Sequence, residues 1–228
     1  MRIYNRNFIV ALLLSTACTA FGAGGGDMPM PSSQGSTSKS PEAQALSAYN
    51  SGVHLVEKAD DLAADAARQT DEHKQKKALD KSRQNYSTAL RKFAQAIEFQ
   101  SGMYQAWNYL GYTQRKLGNY QDALTAYDRA LSIKPGYVEA IEYRGHAYLG
   151  LNRLSEAKEA YLALYAGNSK LAASLLKGMQ EWVGAHRANS AGVDGAMLES
   201  FASWVSERSK IAGQTVGLTR EGATSAWK

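Results

Sequence analysis

Four histidines (His54, His73, His146 and His186) and one cysteine, Cys18, are the residues of this chain best suited to metal ligation or nucleophilic attack. A zinc site gathers three or four such ligands, commonly as close pairs, and zinc hydrolases add a Glu beside a His-x-x-x-His pair on one helix face. The histidines here are scattered and form no His-Glu-x-x-His or other paired spacing. Cys18 lies in a segment with the marks of an export signal, which removes a cysteine nucleophile from the folded body. Ser47 and Ser51 have no accompanying His–Asp constellation, and Gly24-Gly25-Gly26 follows no strand that would make it a phosphate-binding loop. The residues therefore point away from catalysis, and no metal or cofactor is expected.

Charge excludes a second class. Lys and Arg number 26 against 21 Asp and Glu, a formal +5. Without Arg2 and Arg6, which fall in the export segment, 24 basic residues face 21 acidic ones, a net of +3. A nucleic-acid surface needs clustered cations. The nearest cluster, Lys74, Lys76 and Lys77, is interrupted by Gln75 and preceded by Asp71 and Glu72, as on a solvated helix face. No nucleic-acid partner is expected.

Arg2 and Arg6 precede the apolar run Phe8 to Leu14, and small residues continue to Ala23. A basic start, a short apolar centre and a small-residue end make up a secretory signal peptide, read here as residues 1–23. The run is shorter than the roughly 20 apolar residues that span a membrane. Two readings of Cys18 stand together. Leu14-Ser15-Thr16-Ala17-Cys18 resembles a bacterial lipobox, with Ser15 where Leu is usual, and would place a lipid on Cys18. Cleavage after Gly22 or Ala23 would release a soluble product. The expected location is the periplasm, with an outer-membrane lipoprotein as the alternative, and membrane contact only through the Cys18 lipid. With no second cysteine the mature chain holds no internal disulfide. Residues 24–41, rich in Gly, Ser and Pro, have too few bulky apolar groups to offset the entropy of ordering and are expected to be a flexible tether.

The elements that would position anything in the folded part recur at a fixed period. Trp107, Leu110, Gly111, Ala123, Tyr127, Ala130 and Pro135 are followed at a shift of 34 residues by Ile141, Arg144, Gly145, Ala157, Tyr161 and Leu164. Small residues at Gly111 and Ala123 suit the crossing of two antiparallel helices, with Trp107, Leu110 and Tyr127 filling the space beside it. Gly118 suits a left-handed end to the first helix. Pro135 and Gly136 stop the second. This pattern, with Leu117-Gly118-Asn119-Tyr120 before Asp122-Ala123-Leu124, closely resembles the tetratricopeptide repeat consensus over residues 104–137. A second unit, 138–168, departs from it in lacking the closing proline and in Arg144. The resemblance implies an all-α fold of antiparallel helix hairpins stacked in a short right-handed solenoid.

Upstream, Tyr86, Ala89, Phe93 and Ala96 match the second helix of a repeat, but the matching first-helix positions hold His73, Lys76 and Lys77. A better first helix lies at Ala48 to Gly52, so residues 42–103 read as a hairpin lengthened by about 25 residues. Its helices, 41–68 and 71–99, should each run roughly 40 Å. Ala59, Leu62, Ala63 and Ala66 form its expected seam, answered by Ala78, Leu79 and Ser82, with Thr70 as cap of the returning helix. Residues 169–212 hold two apolar stripes that suit a helical cap, and 213–228 read as a loose tail.

The resemblance also implies a concave groove lined by the first helix of each pair. Transferring the family's positions selects Tyr49 and Val53, then Asn108, Tyr112 and Arg115, then Glu142, His146 and Leu149. Relatives that hold a peptide's terminal carboxylate use Lys and Asn at such places. Here Asn108, Tyr112, Glu142 and His146 stand there, so that clamp is absent. The implied function is an adaptor or assembly factor of the bacterial cell envelope binding a protein or peptide segment in the groove. The alternative is an envelope protein that self-associates through its long hairpin.

Overall fold

The computed structural model describes residues 39–167, 169–189 and 192–222. The signal segment, Cys18 and nearly all of the tether lie outside the described residues. Eight helices follow one another among the described residues, with no strand: α1 Pro41–Ala66, α2 Glu72–Phe99, α3 Tyr104–Lys116, α4 Tyr120–Ile133, α5 Val138–Gly150, α6 Leu154–Tyr165, α7 Ser169–Ala188 and α8 Gly195–Gly222. They pack as consecutive pairs, and further contacts join α2 to α3, α4 to α5, and α5 and α6 to α7. The all-helical, stacked-hairpin fold expected from the period is the fold observed.

Local chemistry sets the ends. Ser40 caps α1 by accepting from the Ala43 amide at 3.3 Å, and Pro41 takes the first helical turn, where its missing N–H is no loss. Pro41 therefore belongs to α1 and not to the segment expected to be a tether. The cap of α2 is Asp71, not Thr70: the Asp71 carboxylate accepts from the Lys74 amide at 3.0 Å, and its charge complements the positive end of the helix. Gly118, at φ +88°, makes the left-handed step between α3 and α4. One period later Asn152 takes the same step at φ +57°, and its side chain there accepts from the Trp182 indole. Helix α8 also corrects an expectation, since its backbone continues to Gly222 instead of ending at Ala212. Gly213, Gly217 and Gly222 each weaken a helix by about 1 kcal/mol, but no proline stops it.

The core is a chain of neighbouring clusters. Val56, Ala59, Tyr86, Ala89 and Phe93 pack between α1 and α2 and meet Tyr112 of α3. Ala123, Leu124, Tyr127 and Ala130 of α4 meet Ala140 and Ala147 of α5. Leu164, Leu175, Met179 and Phe201 anchor the last four helices. Close helix crossing explains the small residues: a Cβ on Gly52 would come within 2.6 Å of the Phe93 ring, and one on Gly111 within 2.6 Å of the Tyr127 ring.

At 26 and 28 residues, α1 and α2 are about twice as long as α3 to α6 and project as an arm. Its seam is Val56, Ala59 and Ala66 against Ser82, Tyr86 and Ala89, and the Ser82 hydroxyl donates to the Ala59 carbonyl at 2.8 Å. Leu79 is not in that seam. It is 40% exposed, because it lies about 100° around the helix from Ala78.

Candidate partner-binding groove

Helices α1, α3, α5 and α7 touch in that order, so the first helices of successive hairpins share one side of the stack. The residues transferred from the consensus lie along it, but several are absorbed into the packing between hairpins. Tyr49 is half-buried, edge-on to Phe93 at 6.0 Å and to Tyr109 at 5.7 Å. Asn108 is only 2% exposed, and its Oδ1 has no hydrogen-bond partner. Tyr112, 7% exposed, donates its hydroxyl to Asp60, with contacts of 2.9 and 2.8 Å to the two carboxylate oxygens. Arg115 lays its guanidinium over Tyr112 at 5.1 Å and Tyr143 at 5.7 Å. Glu142, 5% exposed, accepts from the Ser174 hydroxyl at 2.6 Å, and His146 Nε2 stands 3.5 Å from the same carboxylate. Val53 is half-buried and Leu149 buried.

Two further tyrosines on these helices were not selected from the consensus. Tyr109 and Tyr143, one residue beyond Asn108 and Glu142, are half-buried and continue an aromatic ladder: Phe93–Tyr109 at 5.3 Å, Tyr109–Tyr112 at 6.4 Å, Tyr112–Tyr143 at 5.1 Å. The signal was present, since the two tyrosines are themselves 34 residues apart. Glu57 is exposed and Glu139 half-buried on the flanking helices. Asp60 is the hub of the arm's base. It accepts from the Tyr86 and Tyr112 hydroxyls and pairs with Lys116 at 3.3 Å.

Burial, above all, pushes the Tyr49, Tyr109, Tyr137 and Tyr143 phenols above the ordinary tyrosine range. At Tyr109 the Glu57, Asp60 and Glu139 carboxylates add to it, and at Tyr137 Glu139 does. A phenol with a raised folded pKa holds its proton more tightly in the fold. Its stabilising contribution is intact below about pH 10 and is lost as pH rises beyond that. Alkaline titration should therefore give cooperative loss of helical circular dichroism above about pH 10, rising together with phenolate absorbance. Full tyrosine ionisation with the helices intact would contradict it.

Residues 104–137 match the family described as tetratricopeptide repeat. That segment is a tetratricopeptide repeat. It coincides with the α3–α4 hairpin, in which Tyr127 fills the space over Gly111. No curated protein matches the chain. Tetratricopeptide repeats are typically non-catalytic scaffolds for protein–protein interaction, and this one supports a protein-binding role. Among the described residues no group of three or more His, Cys, Asp or Glu is placed to hold a metal ion, and no helix is long and apolar enough to cross a membrane.

Proposed function

We propose that this chain is an exported adaptor or assembly factor of a bacterial cell envelope, holding a segment of a partner protein along α1, α3 and α5. One observation carries the reading. The tetratricopeptide repeat at 104–137 is flanked on both sides by hairpins packed onto it, so its first helix is the middle of a surface rather than an isolated face. That surface offers tyrosine rings held rigid by burial, which give contact area at little entropic cost. Export rests on the Arg2-to-Ala23 segment, and a lipid on Cys18 is the alternative form of the same proposal.

The test is a photo-crosslinking residue in place of half-buried Gln105 on α3, with a control in place of exposed Leu162 on α6, in cells producing the whole chain. The Gln105 position should give a discrete adduct in the extracytoplasmic fraction and the Leu162 position none. Adducts from Leu162 alone would place binding on another surface.

A further inference from the structure

We infer that the α1–α3–α5 groove selects a basic segment, one that presents Lys or Arg side chains. This rests on the groove reading above and names the chemistry of its occupant. Along the groove, most charges are already committed. Lys116 pairs with Asp60, and Arg115 lies against the Tyr112 and Tyr143 rings. Glu142 is held by Ser174 and stands beside His146. Lys134, at the edge, donates to the Tyr104 hydroxyl at 2.9 Å and covers the Tyr104 ring at 4.5 Å. Glu57 on α1 and Glu139 on α5 remain, and neither has an ion-pair partner among the described residues. Both act on the Tyr109 phenol that stands between their helices.

The uncommitted polar groups are two carboxylates, one amide oxygen and four phenols, and a phenol can accept as well as donate. Asn108 Oδ1 is buried without a partner, at the repeat position it shares with Tyr49 and Glu142. The Tyr49, Tyr109, Tyr137 and Tyr143 phenol oxygens receive no hydrogen bond from the described residues, unlike those of Tyr104 and Tyr112, which bond Lys134 and Asp60. A Lys or Arg side chain supplies what is missing: positive charge for Glu57 and Glu139, N–H donors for the oxygens, and a cation for the tyrosine rings. Arg115 Nε on α3 and Arg144 Nε on α5 are donors left over, each buried beside a ring that its own guanidinium covers. An acidic segment would face two unpaired carboxylates. Without the export segment the chain carries a net +3, so a basic partner is weakly repelled elsewhere and drawn to this face, which favours one docking register.

The experiment sorts a random dodecapeptide library on the purified chain and measures fluorescein-labelled copies of the enriched peptides by anisotropy. Enriched peptides should carry Lys and Arg in excess of Asp and Glu. Their affinity should fall about tenfold for each of Glu57→Gln and Glu139→Gln, with an unchanged thermal midpoint, and should weaken with added NaCl. Enrichment of neutral or acidic peptides that Gln105→Trp displaces would overturn the basic class and leave groove binding standing. Peptides insensitive to Glu57→Gln, Glu139→Gln and Gln105→Trp alike would overturn both readings.

Discussion

Tyr127→Ala should lower the stability of the folded chain by about 3–5 kcal/mol, whereas Tyr127→Phe should leave it unchanged or raise it. The ring is fully buried and occupies the space that Gly111 leaves open, so truncation opens a cavity at the crossing of α3 and α4. The hydroxyl is a different matter. It is buried in the field of the Arg115 guanidinium yet makes no hydrogen bond of acceptable geometry. Arg115 returns only part of the free energy lost in taking it from water, and phenylalanine avoids that loss. Urea unfolding followed by circular dichroism separates the two effects. A loss above about 1 kcal/mol for Tyr127→Phe would mean that the hydroxyl and Arg115 do bond in solution.

Asp60→Ala should be the most damaging change at a site outside the apolar core, costing about 2–4 kcal/mol. Its carboxylate ties three helices together, accepting from Tyr86 on α2 and Tyr112 on α3 while pairing with Lys116. Both tyrosine side chains are largely buried, so removing the carboxylate takes a shared acceptor from two hydroxyls at the arm's base. Because each hairpin packs on its neighbours, the damage should stay local. Hydrogen exchange should accelerate in α1 and α2 before α7 and α8. Uniform acceleration through all eight helices would show that the stack unfolds as one unit. Asp60→Asn, which keeps an acceptor but not the charge, should lose less.

Much of this architecture was legible in the residues because tetratricopeptide packing is written in size. Gly111 with Tyr127 and Gly52 with Phe93 are pairs of small and large residues, and the structure places each pair in contact, although the long first hairpin sets the second pair 41 residues apart instead of 16. Where a choice depended on local geometry, the outcome differed. Thr70 and Asp71 are both competent caps, and only the backbone at Asp71, extended at φ −87° and ψ 114°, decides between them. Leu79 looked like seam material, but it lies about 100° around α2 from Ala78 and stays exposed. On the shared side of α1, α3 and α5, the positions transferred from the consensus fall one residue short of Tyr109 and Tyr143. Consensus positions mark the helix face nearest the next hairpin, and here bulky Tyr112 and hydrogen-bonded Glu142 are drawn into that packing. Tyr109, Tyr143 and Glu139 beside them stay half-buried and Glu57 exposed. The continuation of α8 was hidden because glycine weakens a helix without forbidding it.

The arm has a consequence for how this chain can vary. Beyond Asp60 its two helices answer mainly to each other, through alanines and one serine hydroxyl, and the turn between Ala66 and Glu72 carries no element that packs elsewhere. One helical turn inserted in each strand of the arm would extend its reach by about 5 Å and leave the spacing of the repeats untouched. Reach and recognition are thus separately adjustable, and descendants of one ancestor could differ in arm length while keeping the same groove.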